Sequence, residues 1–248
     1  MRGVFESHGI ASTVRQRIER GGERLWGFED FRDLPMDAVA QALSRMTRDG
    51  TIQRLSKGVY FHPRSTAFGV SLPNPAILLK HASATKRRTF FPADEAAANM
   101  LGFSTQSPRR ATIATTALSA PKKLLGTDTV VHTRRPEAWR QLSETDAAFL
   151  DFLRRGGRTS ELTPAETIRR ALKLAAEDNR FERLLAVAES EPPRVRAILG
   201  ALGVALGKTP TAVDRLRSSL NPFSKFDFGL LAGLPDAHRW QAKGESGR

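Results

Sequence analysis

Apolar positions along residues 10–62 change their period twice. Ile10, Val14 and Ile18 recur every fourth residue up to Gly21-Gly22, which predicts a first helix closed by glycine. Leu25-Trp26 predicts a short strand and Phe28–Leu34 a compact turn of helix. Val39, Ala42, Leu43 and Met46 then fall on one helix face, while Asp37, Gln41, Ser44, Arg45 and Arg48 fall on the other. Asp49-Gly50 supplies a stop, and Thr51–Leu55 with Val59–His62 carry β-branched and aromatic residues around Ser56-Lys57-Gly58, which predicts a hairpin with a cationic tip. Helix, strand, helix, helix, hairpin is the order of a winged helix-turn-helix, here over residues 8–64.

Residues 64–76 hold no helical period and two prolines, and read as a linker. The pattern over 74–135 is mixed α/β. Helices are expected around Asn74–Ala84 and Asp94–Leu101, and ribbon-like strands at Ala111–Thr116 and Thr129–Arg134. From Ser143 the chain turns helical, and its helix starts are labelled. Ser143 with Asp146, and Thr163-Pro164 with Glu166, place a hydroxyl at the cap and a carboxylate three residues on, where both can satisfy free amides. Thr209-Pro210 repeats a cap followed by proline.

Five apolar sets follow at helical spacing. They are Phe149, Leu150 and Leu153; Ile168, Leu172 and Ala175; Phe181, Leu184, Leu185 and Ala188; Val195, Ile198, Leu199 and Leu202; and Val213, Leu216 and Leu220. The tail 221–240 is dense in Phe, Leu and Trp, and reads as a segment strapped across its own domain. The fold class expected is α+β and mostly helical: a winged domain at 8–64, a mixed α/β segment at 74–135, and a C-terminal helical bundle at 143–240.

Composition changes this picture in two ways. The chain lacks cysteine, a long apolar span and an apolar leader core, which points to a cytoplasmic protein with no membrane association and no thiolate metal site. Its net charge of +13 points to a polyanionic partner. Residues 1–64 hold eleven Lys/Arg against eight Asp/Glu, 65–140 eleven against four, and 141–248 seventeen against fourteen, so the excess is largest in the middle. It is carried there by Lys86-Arg87-Arg88, Arg109-Arg110, Lys122-Lys123 and Arg134-Arg135.

In a winged domain the helix before the hairpin enters the major groove and the hairpin lies against the backbone. Gln41 and Arg45 are then base-edge candidates, because carboxamide suits adenine and guanidinium suits guanine, with Ser44 able to address either. Arg48, Arg54 and Lys57 are candidates for phosphate contacts that position without specifying. The alternative is a winged protein-interaction adaptor whose basic surface grips an acidic partner without reading sequence.

Two short motifs fail on context. Gly207-Lys208-Thr209 lacks the glycine five residues upstream that a phosphate loop needs, that position being Leu202. Asp227-Phe228-Gly229 stands without the other kinase elements. No histidine pair has helical zinc spacing, and no catalytic constellation is evident, so neither an enzyme nor a cofactor is expected.

Taken in order, Glu29-Asp30-Phe31, Ala42-Leu43-Ser44-Arg45-Met46, Asp49-Gly50, Lys57-Gly58-Val59-Tyr60 and Leu101-Gly102-Phe103-Ser104-Thr105-Gln106 resemble the AbiEi-type antitoxin family of type IV toxin-antitoxin systems and its related domains of unknown function. The resemblance covers about the first 135 residues. It implies a cytoplasmic bacterial antitoxin without enzymatic activity. Such a protein represses its own operon by binding double-stranded operator DNA and counteracts a nucleotidyltransferase-like toxin encoded beside it. It also implies that Gln41, Ser44, Arg45 and Lys57 match DNA-facing positions. The sequence departs from the family at Leu34-Pro35-Met36-Asp37, where no Ser or Thr caps the reading helix.

Overall fold

Burial follows the predicted helix face by face in the N-terminal region of the computed structural model, which describes residues 2–66, 69–71, 73, 78, 89–106, 110–120, 125 and 128–243. Helix α1 (Arg2–Gly21) is followed by strand β1 (Leu25–Gly27), a 3-10 turn (Phe28–Phe31), helix α2 (Met36–Arg48) and the strands β2 (Gln53–Ser56) and β3 (Val59–Phe61). The three strands form one antiparallel sheet in the order β1-β3-β2, with Tyr60 facing Trp26 on one side and Arg54 on the other. Val14 and Ile18 of α1, Val39, Leu43 and Met46 of α2, and Trp26, Phe31 and Tyr60 make a single core. Helix α2 starts at Met36 behind Pro35 and no side chain caps it. Pro35, in place of a Ser or Thr cap, thus marks the start of this helix.

Two ion pairs brace this core from outside. Arg17 of α1 holds Asp33 with two parallel bonds of 2.7 Å and also donates to the Asp30 carbonyl. Asp49, just past α2, accepts from the Thr51 amide (3.0 Å) and hydroxyl (2.5 Å) and from Arg15 of α1 (2.9 Å). Asp49 thereby ties the end of α2, the start of the hairpin and α1 to one carboxylate.

The chain gathers into two compact units, one of Met1–Arg88 with Pro121–Thr127 and the other of Thr89–Ala120 with Asp128–Arg248. The boundaries expected at 64–74 and 135–143 are therefore redrawn. Part of the expected linker is paired: β4 (Ser65–Thr66) runs antiparallel to β5 (Gly69–Val70), and the Ser71 amide donates to the Arg64 carbonyl. The helix expected at 74–84 falls almost wholly outside the described residues, as do Lys86-Arg87-Arg88, Arg109 and Lys122-Lys123.

In the second unit β6 (Phe90–Pro92) leads through helix α3 (Asp94–Met100) to β7 (Thr112–Thr115), and β8 (Val130–His132) lies on the far side of β7. β6 pairs antiparallel with β7, but β8 pairs parallel to it, so the expected ribbon is an open three-stranded sheet. The strand at 90–92 was not anticipated, because Phe90-Phe91-Pro92 is too short to show alternation.

Helix α4 (Glu144–Arg154) is the axis of this unit: all eight residues from Asp146 to Leu153 are buried, as expected for a helix packed on every side. Around it stand α5 (Pro164–Ala176), α6 (Arg180–Val187), α7 (Pro193–Ala205) and α8 (Pro210–Ser218). Phe91, Phe103 and Trp139 from the sheet region share one core with Phe149, Phe152, Phe181 and Leu199. That continuity removes the expected boundary at 135–143. Phe103 stacks on Phe152 with ring centroids 3.8 Å apart.

Two of the three predicted caps behave differently from the expectation. Thr163 and Glu166 form the reciprocal box. Ser143 accepts from the Asp146 amide, but the Asp146 carboxylate turns inward, where it is held by Arg183 (2.6 and 3.0 Å) and Arg180 (3.0 Å). Thr209 occupies the cap of α8 without a side-chain bond. In α5 the buried face is Thr167, Ala171, Leu174 and Ala175, which leaves Ile168 and Leu172 at its edge.

The tail does strap its own unit: Phe228, Leu231, Leu234 and Trp240 are buried, although Phe223 is almost fully exposed. The Trp240 ring lies where a Cβ on Gly200 of α7 would be, and the Arg217 guanidinium covers that ring at 4.7 Å.

Three outcomes follow for stability. Gly200→Ala drives a methyl into Trp240 and should cost about 1–3 kcal/mol in urea unfolding. Asp146→Asn removes the buried carboxylate shared by Arg180 and Arg183 and leaves the buried Arg180 only the more exposed Glu177 at 3.2 Å, and should cost about 3 kcal/mol in the same measurement. The bond from Arg17 and its own backbone amide hold Asp33 down at about 2, against an ordinary value of 3.8. Its stabilising contribution is therefore complete above pH 3.8 and is lost as pH falls through about 2, and Arg17→Gln should flatten the acid limb of a urea-midpoint profile across that window.

Candidate nucleic-acid interface

Burial of Val39, Ala42, Leu43 and Met46 fixes the rotation of α2, and with it which side chains face water. Gln41, Ser44, Arg45 and Arg48 are exposed. They lie three or four residues apart along one stripe, the spacing at which helical side chains are neighbours. Arg45 Nη2 sits 3.5 Å from Gln41 Oε1, so the two base-edge candidates are in contact at the limit of a hydrogen bond.

On the hairpin Arg54 is exposed and donates from Nε to the Ser56 carbonyl at 3.4 Å, across the irregularity in the β2–β3 register. Lys57 is exposed at the tip, where Gly58 takes a φ of +75° to turn the chain. That position suits glycine, because a side chain there would be strained. The edge of Tyr60 against Phe28, with centroids 6.4 Å apart, backs the hairpin from inside.

Charge is sorted in this unit. Arg15, Arg17 and Arg24 each meet an aspartate: Asp49 at 2.9 Å, Asp33 at 2.7 Å and Asp30 at 2.8 Å. The Thr51 hydroxyl and amide, followed by Arg15, hold the Asp49 carboxyl below its usual range, which keeps that anchor ionised. By contrast Arg45, Arg48, Arg54 and Lys57 meet no carboxylate among the described residues, a state they share with the exposed Arg20, Arg32 and Arg64 elsewhere in the unit. Ser44, Arg48 and Lys57 make no side-chain hydrogen bond there either. All six predicted positions are thus solvent-facing, and their donors are largely unspent. Asp37 is the acidic member of the same face, at the first turn of α2, where a carboxylate complements the helix dipole.

The basic doublets expected in the middle of the chain fare less well. Of Arg134-Arg135, Arg134 is exposed, but Arg135 is half-buried and bonded at 2.5 Å to the buried Asp151. Burial lowers the Arg135 pKa, with Asp151 opposing that effect. Sequence reasoning passed over a denser cluster in the second unit, where Arg154, Arg155, Arg158 and Arg194 line one cleft. Its local signal is Arg154-Arg155-Gly156-Gly157-Arg158, three arginines around two glycines at the end of α4. Among the described residues, no group of three or more His, Asp or Glu side chains is placed to hold a metal ion. No helix there is long and apolar enough to cross a membrane.

Residues 14–134 match the model of DUF6088, a family of unknown function. No curated protein matches the chain. Among solved structures, the crystal structure of the RV2827C protein from Mycobacterium tuberculosis is similar, with a TM-score of 0.51 at 16% identity, covering 88% of this chain and 84% of that one. The likeness extends across both units and is one of fold: this chain and the mycobacterial protein share an α+β architecture.

Proposed function

We propose that residues 8–64 act as a winged helix-turn-helix that binds double-stranded DNA, with α2 in the major groove and the β2–β3 hairpin on the flanking backbone. The observation that carries this reading is the division of cations within one small unit. Arginines that brace the fold are neutralised by aspartates, while Arg45, Arg48, Arg54 and Lys57 stand exposed and unpaired. An unpaired guanidinium or ammonium is free to displace a counterion from a phosphate, and an unpaired fork is free to read guanine. In this reading Gln41 and Arg45 address base edges, with Ser44 beside them. Arg48, Arg54 and Lys57 fix register on the phosphates.

Together with the resemblance to AbiEi-type antitoxins, this supports reading the chain as an autorepressing antitoxin that binds its own operator and counteracts a nucleotidyltransferase-like toxin encoded beside it. The division of labour expected is DNA binding by the first unit and toxin antagonism by the second.

Measured on upstream DNA of its own operon, Arg45→Ala should weaken binding about 5- to 150-fold, equivalent to about 1–3 kcal/mol, and should relax preference at one base position. Lys57→Ala should weaken binding to all sequences alike and reduce the salt slope by about one. Normal binding by both variants would sink the DNA reading and favour the adaptor. Co-expression with the neighbouring reading frame tests the second role: growth arrest that this chain relieves is expected, and arrest that it leaves untouched would remove the antitoxin reading.

A further inference from the structure

The second unit contains a cleft of about 410 Å³, the size of a small-ligand pocket, lined by Arg154, Arg155, Arg158 and Arg194 together with Asp94 and Glu95. Three of the arginines are partly committed. Arg154 grips the buried Glu191 at 2.6 and 3.1 Å, Arg158 meets Asp227 at 2.5 Å, and Arg155 meets Asp94, which also contacts His132 at 2.5 Å. Each guanidinium has five N–H groups, so every one of them keeps donors to spare.

Arg194 is the exception. It donates to the Arg154 carbonyl and meets no carboxylate among the described residues. Burial, then Arg158, Arg155 and Arg154, press its pKa downward, while Asp227 opposes them. A half-buried cation among like charges is an unusual thing for a fold to keep, and such perturbed groups in clefts cluster at binding sites. One further group at the cleft is unspent: Glu95 is exposed with no cation on it among the described residues.

The backbone beside the cleft is closely packed. Gly156 and Gly229 take φ of +62° and +59° and pass so close that a Cβ on Gly156 would lie 2.8 Å from the Phe228 carbonyl oxygen. The Leu230 amide donates to the Gly156 carbonyl at 2.9 Å. This crossing holds Arg155 and Arg158 on either side of the double glycine. Asp94 itself sits at a φ of +49°, with its amide on Asp151 Oδ2 at 2.9 Å.

We infer that this cleft binds a nucleotide, its phosphates held by Arg194 and Arg158, and its sugar or base donors accepted by Glu95. Guanidinium forks match phosphate oxygens, and the charge of a phosphate chain offsets the crowding of cations around Arg194. A concave site of this volume suits a ligand of nucleotide size and not an extended peptide. The exposed carboxylate at its rim calls for O–H or N–H donors that inorganic phosphate lacks.

The test is calorimetric titration of the full chain with ATP and, separately, with pyrophosphate at low salt. Saturable ATP binding is expected, weakened at least tenfold by Arg194→Gln, while Glu95→Gln weakens ATP and leaves pyrophosphate unchanged. Should Arg194→Gln melt earlier than the wild type, Arg158→Gln, at a half-exposed side chain, carries the same readout, with a severalfold loss expected. Absence of saturable binding by the wild type would overturn the site, as would undiminished binding in these variants. Pyrophosphate binding as tightly as ATP and indifference of ATP to Glu95→Gln would overturn the nucleotide assignment. Displacement of pyrophosphate by random duplex DNA at matched phosphate concentration would overturn it too, by giving the cleft to the DNA backbone.

Discussion

A carboxylate removed from water must be paired, and in this chain arginine pairs it. The buried Asp146 of α4 is held by Arg180 and Arg183, Asp151 by Arg135, and Glu191 by Arg154 and the Trp139 ring N–H. These pairs lie on or beside α4, whose residues Asp146 to Leu153 are all buried. They fix how the surrounding helices and the sheet meet it, because a lone buried charge would cost several kcal/mol. The same logic recurs at the surface of the first unit, where Asp49, Asp33 and Asp30 take Arg15, Arg17 and Arg24. An arginine engaged in this way holds structure. The arginines left over are the ones that can meet something else, and a net charge of +13 guarantees that some are left over.

Much of the first unit was legible in the sequence because its signals are local. The apolar stripe of α2, the Asp49-Gly50 stop and the glycine at the hairpin tip each act within a few residues, and each appears where expected. Pairing at long range was not legible. Asp146 sits three residues after Ser143, in the position of a capping carboxylate, yet Arg180 and Arg183 draw it inward from more than thirty residues away. A doublet such as Arg134-Arg135 reads as one basic patch, while the fold sends one member outward and the other to Asp151. The parallel β7–β8 pair and the shared core of sheet and helices likewise depend on contacts that no period in the sequence encodes. The cleft around Arg194 was hidden for the same reason: its walls come from α3, the end of α4 and the start of α7.

The candidate DNA surface and the arginine-lined cleft thus rest on one kind of observation, donors that the fold does not use. In the first unit they are exposed on a helix whose rotation the core locks, which favours reading an extended, regular polyanion. In the second they converge on a concave site, which favours a small ligand. The central claim is that the outer face of α2 reads sequence as well as charge. Fluorescence-anisotropy titration of the intact protein against its own upstream DNA and a scrambled duplex, at several salt concentrations, tests it most directly. The account predicts a preference for the upstream DNA that persists at physiological salt. Equal binding to both duplexes, collapsing steeply as salt rises, would contradict it and leave only the pull of +13 charges on phosphate.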